Sequence, residues 1–237
     1  MIIGISGYVG NRLTGIGRVL INILSELAKQ YPEDKYVLFR NFDFKEYDNL
    51  TQYQNIEIVD VPYTKESGLK NILWHQWLFQ KLLKKYKCDI AYIPNFTLLL
   101  WKTIPTIVTI HDLIEYNVPD KFSKARMFYR KQVCDPLMAK KSNHILTVSK
   151  SSYKDIISYL GVKPSKLTLT LNATDRNVFK KYSKEKIIPA IKKYNLEYKK
   201  YLLFVGTIDF PGKNIKTIIE AFFNLRSKNE LNGIKLV

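Results

Sequence analysis

The sequence has only two cysteines, Cys88 and Cys134, far apart and without C-x-x-C spacing. That excludes a disulfide framework and a thiolate metal site, and it fits reduced, buried thiols in a cytosolic chain. The three histidines, His75, His111 and His144, are too scattered to suggest metal ligands. No run approaches the ~18 apolar residues of a membrane span. The opening Met1-Ile2-Ile3-Gly4-Ile5 lacks a basic leader and reads as a first strand rather than a signal peptide. Glycine and proline are sparse (10 and 9 of 237 residues), so collagen-like and linker compositions are excluded. There is no Gly-x-Ser-x-Gly elbow, no Walker A loop and no internal repeat. Acidic residues are scarce in one half only. Residues 121–237 carry 8 acids against 25 bases, whereas residues 1–120 carry 13 of each, so the whole net charge of +17 lies in the second half.

What is present points to a folded α/β chain. Hydrophobic residues make up 46% and charged residues 25%, enough apolar material for a sizeable core. Short β-branched runs alternate with longer segments of helical period, the pattern of a parallel sheet. Strands are expected at 2–6, 35–40, 56–61, 89–93, 106–110, 145–148 and 167–171. Helices are expected at 17–29, with Val19, Leu20, Ile23, Leu24 and Leu27 inward, and at 69–86, with Leu73, Trp77, Leu78 and Leu82 inward. Further helices are expected at 122–141 and 149–159. From 172 to 200 the character changes to irregular, then Lys-rich and weakly helical, with Pro189 as a breaker. A last strand–helix–strand follows at 201–206, 213 or 214 to 228, and 233–237. The domains read as 1–178, a linker at 179–200, and an incomplete βαβ opening at 201–237, whose Leu202, Phe204, Ile218, Ala221 and Phe222 should have little to pack against.

Several loops could carry chemistry. Gly10-Asn11-Arg12-Leu13-Thr14-Gly15-Ile16-Gly17-Arg18 precedes a helix, where free N–H groups and the helix dipole favour phosphate; glycines serving only a tight turn are the plainer reading. As a dinucleotide fingerprint it fails. Leu20 replaces the third glycine, and Phe39-Arg40-Asn41 supplies no ribose-binding acid. His111-Asp112 follows a strand, where α/β sheets place ligands, and is either a sugar- or phosphate-binding pair or a structural one. His75, between Trp74 and Trp77, reads as packing or surface, and His144, opening a strand, as structural. Ser149 suits a helix N-cap or the same crevice, as Asn172 does after the next strand. Phe204-Val205-Gly206-Thr207 leads through Pro211-Gly212 to Lys213-Asn214 at a helix start, where a lysine suits a diphosphate or simply water.

In this order the motifs resemble the retaining glycosyltransferases of family 4: Thr14-Gly15-Ile16-Gly17-Arg18, Trp74-x-x-Trp77, Val108-Thr109-Ile110-His111-Asp112-Leu113, Leu146-Thr147-Val148-Ser149, Asn172-Ala173-Thr174-Asp175 and Gly206…Gly212-Lys213-Asn214. The resemblance implies the GT-B architecture, a Rossmann-like parallel sheet followed by a second, here truncated, Rossmann-like domain. It implies transfer of a sugar, with retention, from a nucleotide-diphosphate sugar to a hydroxyl of a glycan or lipid-linked acceptor. His111 and Asp112 are then the catalytic candidates. Gly15, Gly17, Arg18, Gly206 and Lys213 would serve donor and phosphate, and Ser149 and Asn172 the remaining cleft. No cofactor and no metal are implied.

The sequence departs from the family pattern at Ala173, Thr207 and Gly212, and it stops before the Glu-x₇-Glu motif. The chain as written is therefore expected to be inactive by itself. The alternative is a non-catalytic acceptor- or membrane-binding half that pairs with a separate donor-binding subunit. Expected partners are the nucleotide sugar, the acceptor, an anionic membrane surface and a second subunit, with the chain cytoplasmic and peripheral on the inner membrane face. Nucleic acid is disfavoured, since no RRM-, KH- or zinc-type reader is present.

Overall fold

A computed structural model describes residues 1–8, 13–61, 67–174, 179–208 and 212–237. Two compact units emerge, Met1–Asn117 with Ser123–Asn172, and Val118–Phe122 with Ala173–Val237. In the first unit the short β-branched runs form β1 (Ile2–Gly7), β2 (Lys35–Arg40), β3 (Ile56–Asp60), β4 (Ile90–Ile93), β5 (Thr106–Thr109), β6 (His144–Thr147) and β7 (Leu167–Leu169). All pair in parallel, in the order β3-β2-β1-β4-β5-β6-β7. Val37, Leu38 and Phe39 on β2 are fully buried, as expected of a strand covered on both faces. At Gly7 the strands close up: an added Cβ would lie 2.8 Å from the Phe39 carbonyl oxygen.

The helices are α1 (Gly15–Gln30), α2 (Gly68–Leu73), α3 (Phe79–Lys85), α4 (Ile114–Asn117), α5 (Lys124–Phe128), α6 (Asp135–Lys141) and α7 (Lys150–Leu160). The two long expected helices are each interrupted by a π turn, Trp74–Leu78 between α2 and α3 and Tyr129–Cys134 between α5 and α6. The first interruption shifts the expected inward face: Leu78 and Leu82 pack against the core as expected, but Leu73 and Trp77 do not. Trp74, His75, Gln76, Phe79, Gln80 and Leu83 are buried, whereas Leu73 and Trp77 are exposed. On α1 the expected Leu20 and Leu24 are buried and Leu27 packs against the core, while Ile21 and Ala28 join the buried stripe.

Polar residues face inward from α2 and α3 because β4 and β5 are joined by residues 94–105 without a helix. Extended backbone lying against a core needs partners for its N–H and C=O groups. Gln76 Nε2 donates to the Leu98 carbonyl at 2.7 Å, and its Oε1 accepts from the N–H of Leu100 and Trp101 at 2.9 and 3.3 Å. Gln80 Oε1 accepts from the N–H and hydroxyl of Thr103 at 3.0 and 2.9 Å. Asn71 Oδ1 accepts from the Thr97 hydroxyl at 2.8 Å. Beneath them His75 Nδ1–H donates to the Asn71 carbonyl at 2.9 Å, which leaves Nε2 to accept from Ser6 Oγ, also at 2.9 Å. His75 is a packing histidine rather than a surface one, and burial pushes its pKa down to about 4. His144 bonds Thr168 Oγ1 at 2.8 Å.

The second unit contains α8 (Lys184–Lys192), β8 (Tyr201–Leu202), α9 (Ile215–Ser227) and β9 (Lys235–Leu236). Pro189 sits inside α8 rather than breaking it. The first turn closes on the Ser183 carbonyl through Lys186 and Ile187, so the ring removes only the bond to the Glu185 carbonyl. β8 is shorter than the expected 201–206, although its ladder with β9 continues through Phe204 N to the Val237 carbonyl at 2.8 Å. Phe222 is buried, against expectation, while Leu202 and Ile218 are exposed.

Candidate active site

The strand order turns back on itself between β1 and β4, and a parallel sheet opens a crevice at the carboxyl ends of strands at such a point. An open cavity of about 730 Å³ lies there, lined among others by Tyr8 after β1, Asn95 and Phe96 after β4, Asn71 on α2, Ile16 on α1 and Arg130. A smaller space of about 170 Å³ shares Ile16, Phe96 and Arg130 and adds His111 and Asp112 at the end of β5.

Ile16 lies in the first turn of α1, so that helix starts at the crevice wall. Thr14 offers no side-chain cap, the first turn carries no acid, and Arg18 N bonds the Thr14 carbonyl at 3.1 Å. The N–H groups of the first turn have no i−4 carbonyl, and with the helix dipole they favour an anion. A Cβ on Gly15 would meet nothing within 4 Å, so its backbone is open to a ligand, whereas Gly17 is buried in packing and Arg18 is exposed. Gly10, Asn11 and Arg12 of the same loop, and Asp175 and Pro211 further on, lie outside the described residues.

His111 is half-buried, and its Nε2 lies 2.8 Å from the Pro94 carbonyl. A carbonyl only accepts, so Nε2 carries the proton and Nδ1 of the neutral ring is left as an acceptor. Asp112 does not orient His111. It is exposed, and its Oδ1 accepts from Ile114 N at 3.3 Å, at the start of α4. Ser149 caps α7, accepting from Ser152 N at 3.0 Å. Its hydroxyl donates to Ser152 Oγ at 2.9 Å, and Ser152 in turn donates to the His111 carbonyl at 2.8 Å. Ser149 thus acts on the crevice through the backbone of His111. Asn172 is exposed beyond β7. In the second unit Gly206 and Lys213 are exposed, Lys213 two residues before α9, whose preceding residue Asn214 is left-handed (φ 48°) and accepts from the Thr217 hydroxyl at 2.8 Å.

Sequence reasoning missed the residues that complete the crevice wall. Asn95 and Phe96 directly follow β4, and the rule that ligands gather at strand carboxyl ends could have found them. Asn95 Nδ2 donates to the Tyr8 carbonyl at 2.5 Å, while its buried Oδ1 has no protein partner among the described residues. Arg130 had no sequence signal. Its Nε donates to the fully buried Glu115 at 2.7 Å, and its guanidinium lies 3.6 Å over the Phe96 ring. Asp135 is buried beside them. Burial first, then the Glu115 carboxylate, raises its pKa to about 8 against the opposing Arg130.

These two buried groups make stability depend on pH in opposite senses. Asp135 binds its proton more tightly folded than unfolded, so its contribution falls as pH rises from about 4 through about 8. His75 binds its proton less tightly folded, so its contribution is lost as pH falls from 6.5 through about 4. The two slopes offset below pH 6.5, and above it Asp135 acts alone. Asp135→Asn, which keeps a donor for Glu115, is expected to remove a stability loss of roughly 2 kcal/mol between pH 6.5 and 8. Urea denaturation of both proteins across that range checks it, and parallel curves would show that Asp135 does not hold the proton.

Among the described residues no three His, Cys, Asp or Glu side chains gather as metal ligands. The sequence model of the family described as Glycosyltransferase Family 4 matches residues 13–178. O-antigen chain mannosyltransferase B of Escherichia coli is 27% identical over 223 residues, covering 89% of this chain and 56% of that protein. The chain thus spans about half the length of that curated relative. Among solved structures, WaaG, a glycosyltransferase involved in lipopolysaccharide biosynthesis, aligns over 99% of this chain and 62% of its own at a TM-score of 0.68 and 16% identity. HepE of Anabaena, in complex with UDP-glucose, aligns over 100% and 68% at 0.59 and 14%. These structures share the α/β Rossmann-like fold.

Proposed function

Because the chain belongs to glycosyltransferase family 4, we propose that it transfers a sugar from a nucleotide-diphosphate sugar to a hydroxyl of a glycan or lipid-linked acceptor, with retention at the anomeric carbon. The observation that carries this reading is His111 on the wall of a crevice that also receives the uncapped start of α1. His111 Nδ1, left as an acceptor by the Pro94 contact, accepts a hydrogen bond from a hydroxyl of the sugar, and Asn95 Oδ1 is a second acceptor for a hydroxyl. The open N–H groups at the start of α1, beginning at Gly15, receive negative charge on donor or acceptor. Within the second unit, exposed Lys213 is a cation that suits a diphosphate. In this reading the leaving diphosphate is stabilised by helix N-termini and basic side chains, so the transfer requires no metal.

The E. coli relative is by name an O-antigen mannosyltransferase, which supports a lipid-borne glycan as acceptor. Among the described residues no helix is long and apolar enough to cross a membrane. We place the chain in the cytoplasm, peripheral on the inner membrane face.

Imidazole NMR tests the site directly, because the chain has three histidines, of which His75 is buried and His144 bonds Thr168. Adding UDP-glucose, GDP-mannose or a lipid-linked oligosaccharide is expected to shift the His111 signal and to leave that of His75 in place. If none of these moves it while NADH does, the transferase reading fails in favour of a dehydrogenase.

A further inference from the structure

The π turn after α2 leaves an apolar stripe outside the core. Leu69 and Leu73 are 67% and 39% exposed, and Trp77, one turn further, is 50% exposed. The helix-free connection brings Leu100 (37% exposed) and Trp101 (40% exposed) to the same place. There Trp77 and Trp101 meet edge to face, with ring centroids 5.0 Å apart. Monomeric proteins seldom leave two tryptophans and three leucines together in water.

The charges around this stripe have one sign. From residue 67 to residue 88 every charged side chain is a lysine, five in all, and between 67 and 110 the single acid, Asp89, stands against six lysines. Asp89 is held at the foot of β1, accepting from Ile2 N at 2.7 Å. Lys81, Lys84 and Lys85 lie one and two turns beyond Trp77, so they share its face. Lys102 adjoins Trp101; its ammonium donates to Asn143 Oδ1, and burial first, then neighbouring Lys141, holds its pKa below the usual lysine value.

We infer that this face of the first unit docks on an anionic lipid bilayer, with Trp77 and Trp101 at headgroup depth and the lysines against lipid phosphates. Indole rings with an apolar body and one N–H suit the membrane–water boundary, and a basic amphipathic element lies in its plane. A second copy of the chain fits less well: a two-fold contact would set the same lysines against one another. The inference deepens the peripheral-membrane reading above and moves the contact. The basic second half suggested an anionic partner from composition, yet the amphipathic surface lies in the half whose acids and bases balance.

Vesicles of phosphatidylcholine with and without phosphatidylglycerol test it, with no donor or acceptor added, so the transferase reading can fail without touching this result. The protein is expected to cosediment with the anionic vesicles. Its tryptophan emission should move to shorter wavelength, since only Trp74 of the three tryptophans is buried. The double variant Trp77→Ser/Trp101→Ser is expected to weaken partitioning on the order of tenfold or more with unchanged far-UV circular dichroism. Lys81→Glu/Lys84→Glu/Lys85→Glu is expected to weaken it by about a hundredfold. Binding that leaves the tryptophan emission unmoved, or that survives the double variant, would place the contact elsewhere and overturn the inference. So would a lipid-free dimer that the double variant converts to monomer.

Discussion

Substituting Gln76 by leucine is expected to cost about 2–5 kcal/mol of stability, a large share of what a domain of this kind possesses. Leucine fills much the same volume, so the loss is of hydrogen bonds rather than of packing. Three backbone groups, the Leu98 carbonyl and the N–H groups of Leu100 and Trp101, lose their partner at once. They belong to a connection that has no helix or ladder of its own to satisfy them. Leaving such groups unpaired in a buried place costs more than an ordinary hydrogen bond contributes. Urea denaturation gives the magnitude, and hydrogen exchange of the amides at 100, 101 and 103 shows whether the connection opens first. Trp77→Ser, close by but half-exposed against Trp101, should cost about 1 kcal/mol. Equal effects from the two substitutions would mean that the connection is held by something other than Gln76.

If the proposed transferase reading holds, replacing His111 by alanine in a protein with a complete donor-binding domain is expected to lower transfer from a nucleotide sugar by roughly 10²–10³-fold, the usual worth of one positioned hydrogen-bonding group in a site. The side chain is half-buried at the edge of the sheet and meets the protein through one polar contact, the Pro94 carbonyl. Folding should therefore survive its removal, and near-UV circular dichroism checks that it does. Asp112→Asn is expected to behave differently. Asp112 accepts from Ile114 N instead of orienting the imidazole, and asparagine can make the same contact. A loss for Asp112→Asn as deep as for His111→Ala would show that the two act as a pair, contrary to the geometry.

The amino-acid pattern alone determined the class of fold and much of its layout. Short apolar runs alternating with helical segments are the pattern of a covered parallel sheet, and β2 occurs at the expected residues. Loops were legible where function and backbone need the same residue. Glycines before a helix mark α1, and a serine before another marks the cap of α7. His111 was legible because a polar residue directly after an apolar strand stands where parallel sheets open.

Tertiary structure alone decided the rest, because the deciding partners are distant in sequence. Helical period placed Trp77 inside and gave Gln76 no role. Residues 94–105 reversed both, since a connection without a helix draws hydrogen-bonding side chains to the buried face, and a π turn supplies the phase shift that turns them inward. Arg130, Glu115 and Asp135 come from three separate elements and carry no spacing that a linear reading could detect. Charge followed the same rule. A half-chain balanced in composition carries Lys81, Lys84 and Lys85 beyond Trp77 while Lys29 and Lys35 pair with acids elsewhere, because composition counts charges and only the fold assigns them to a surface.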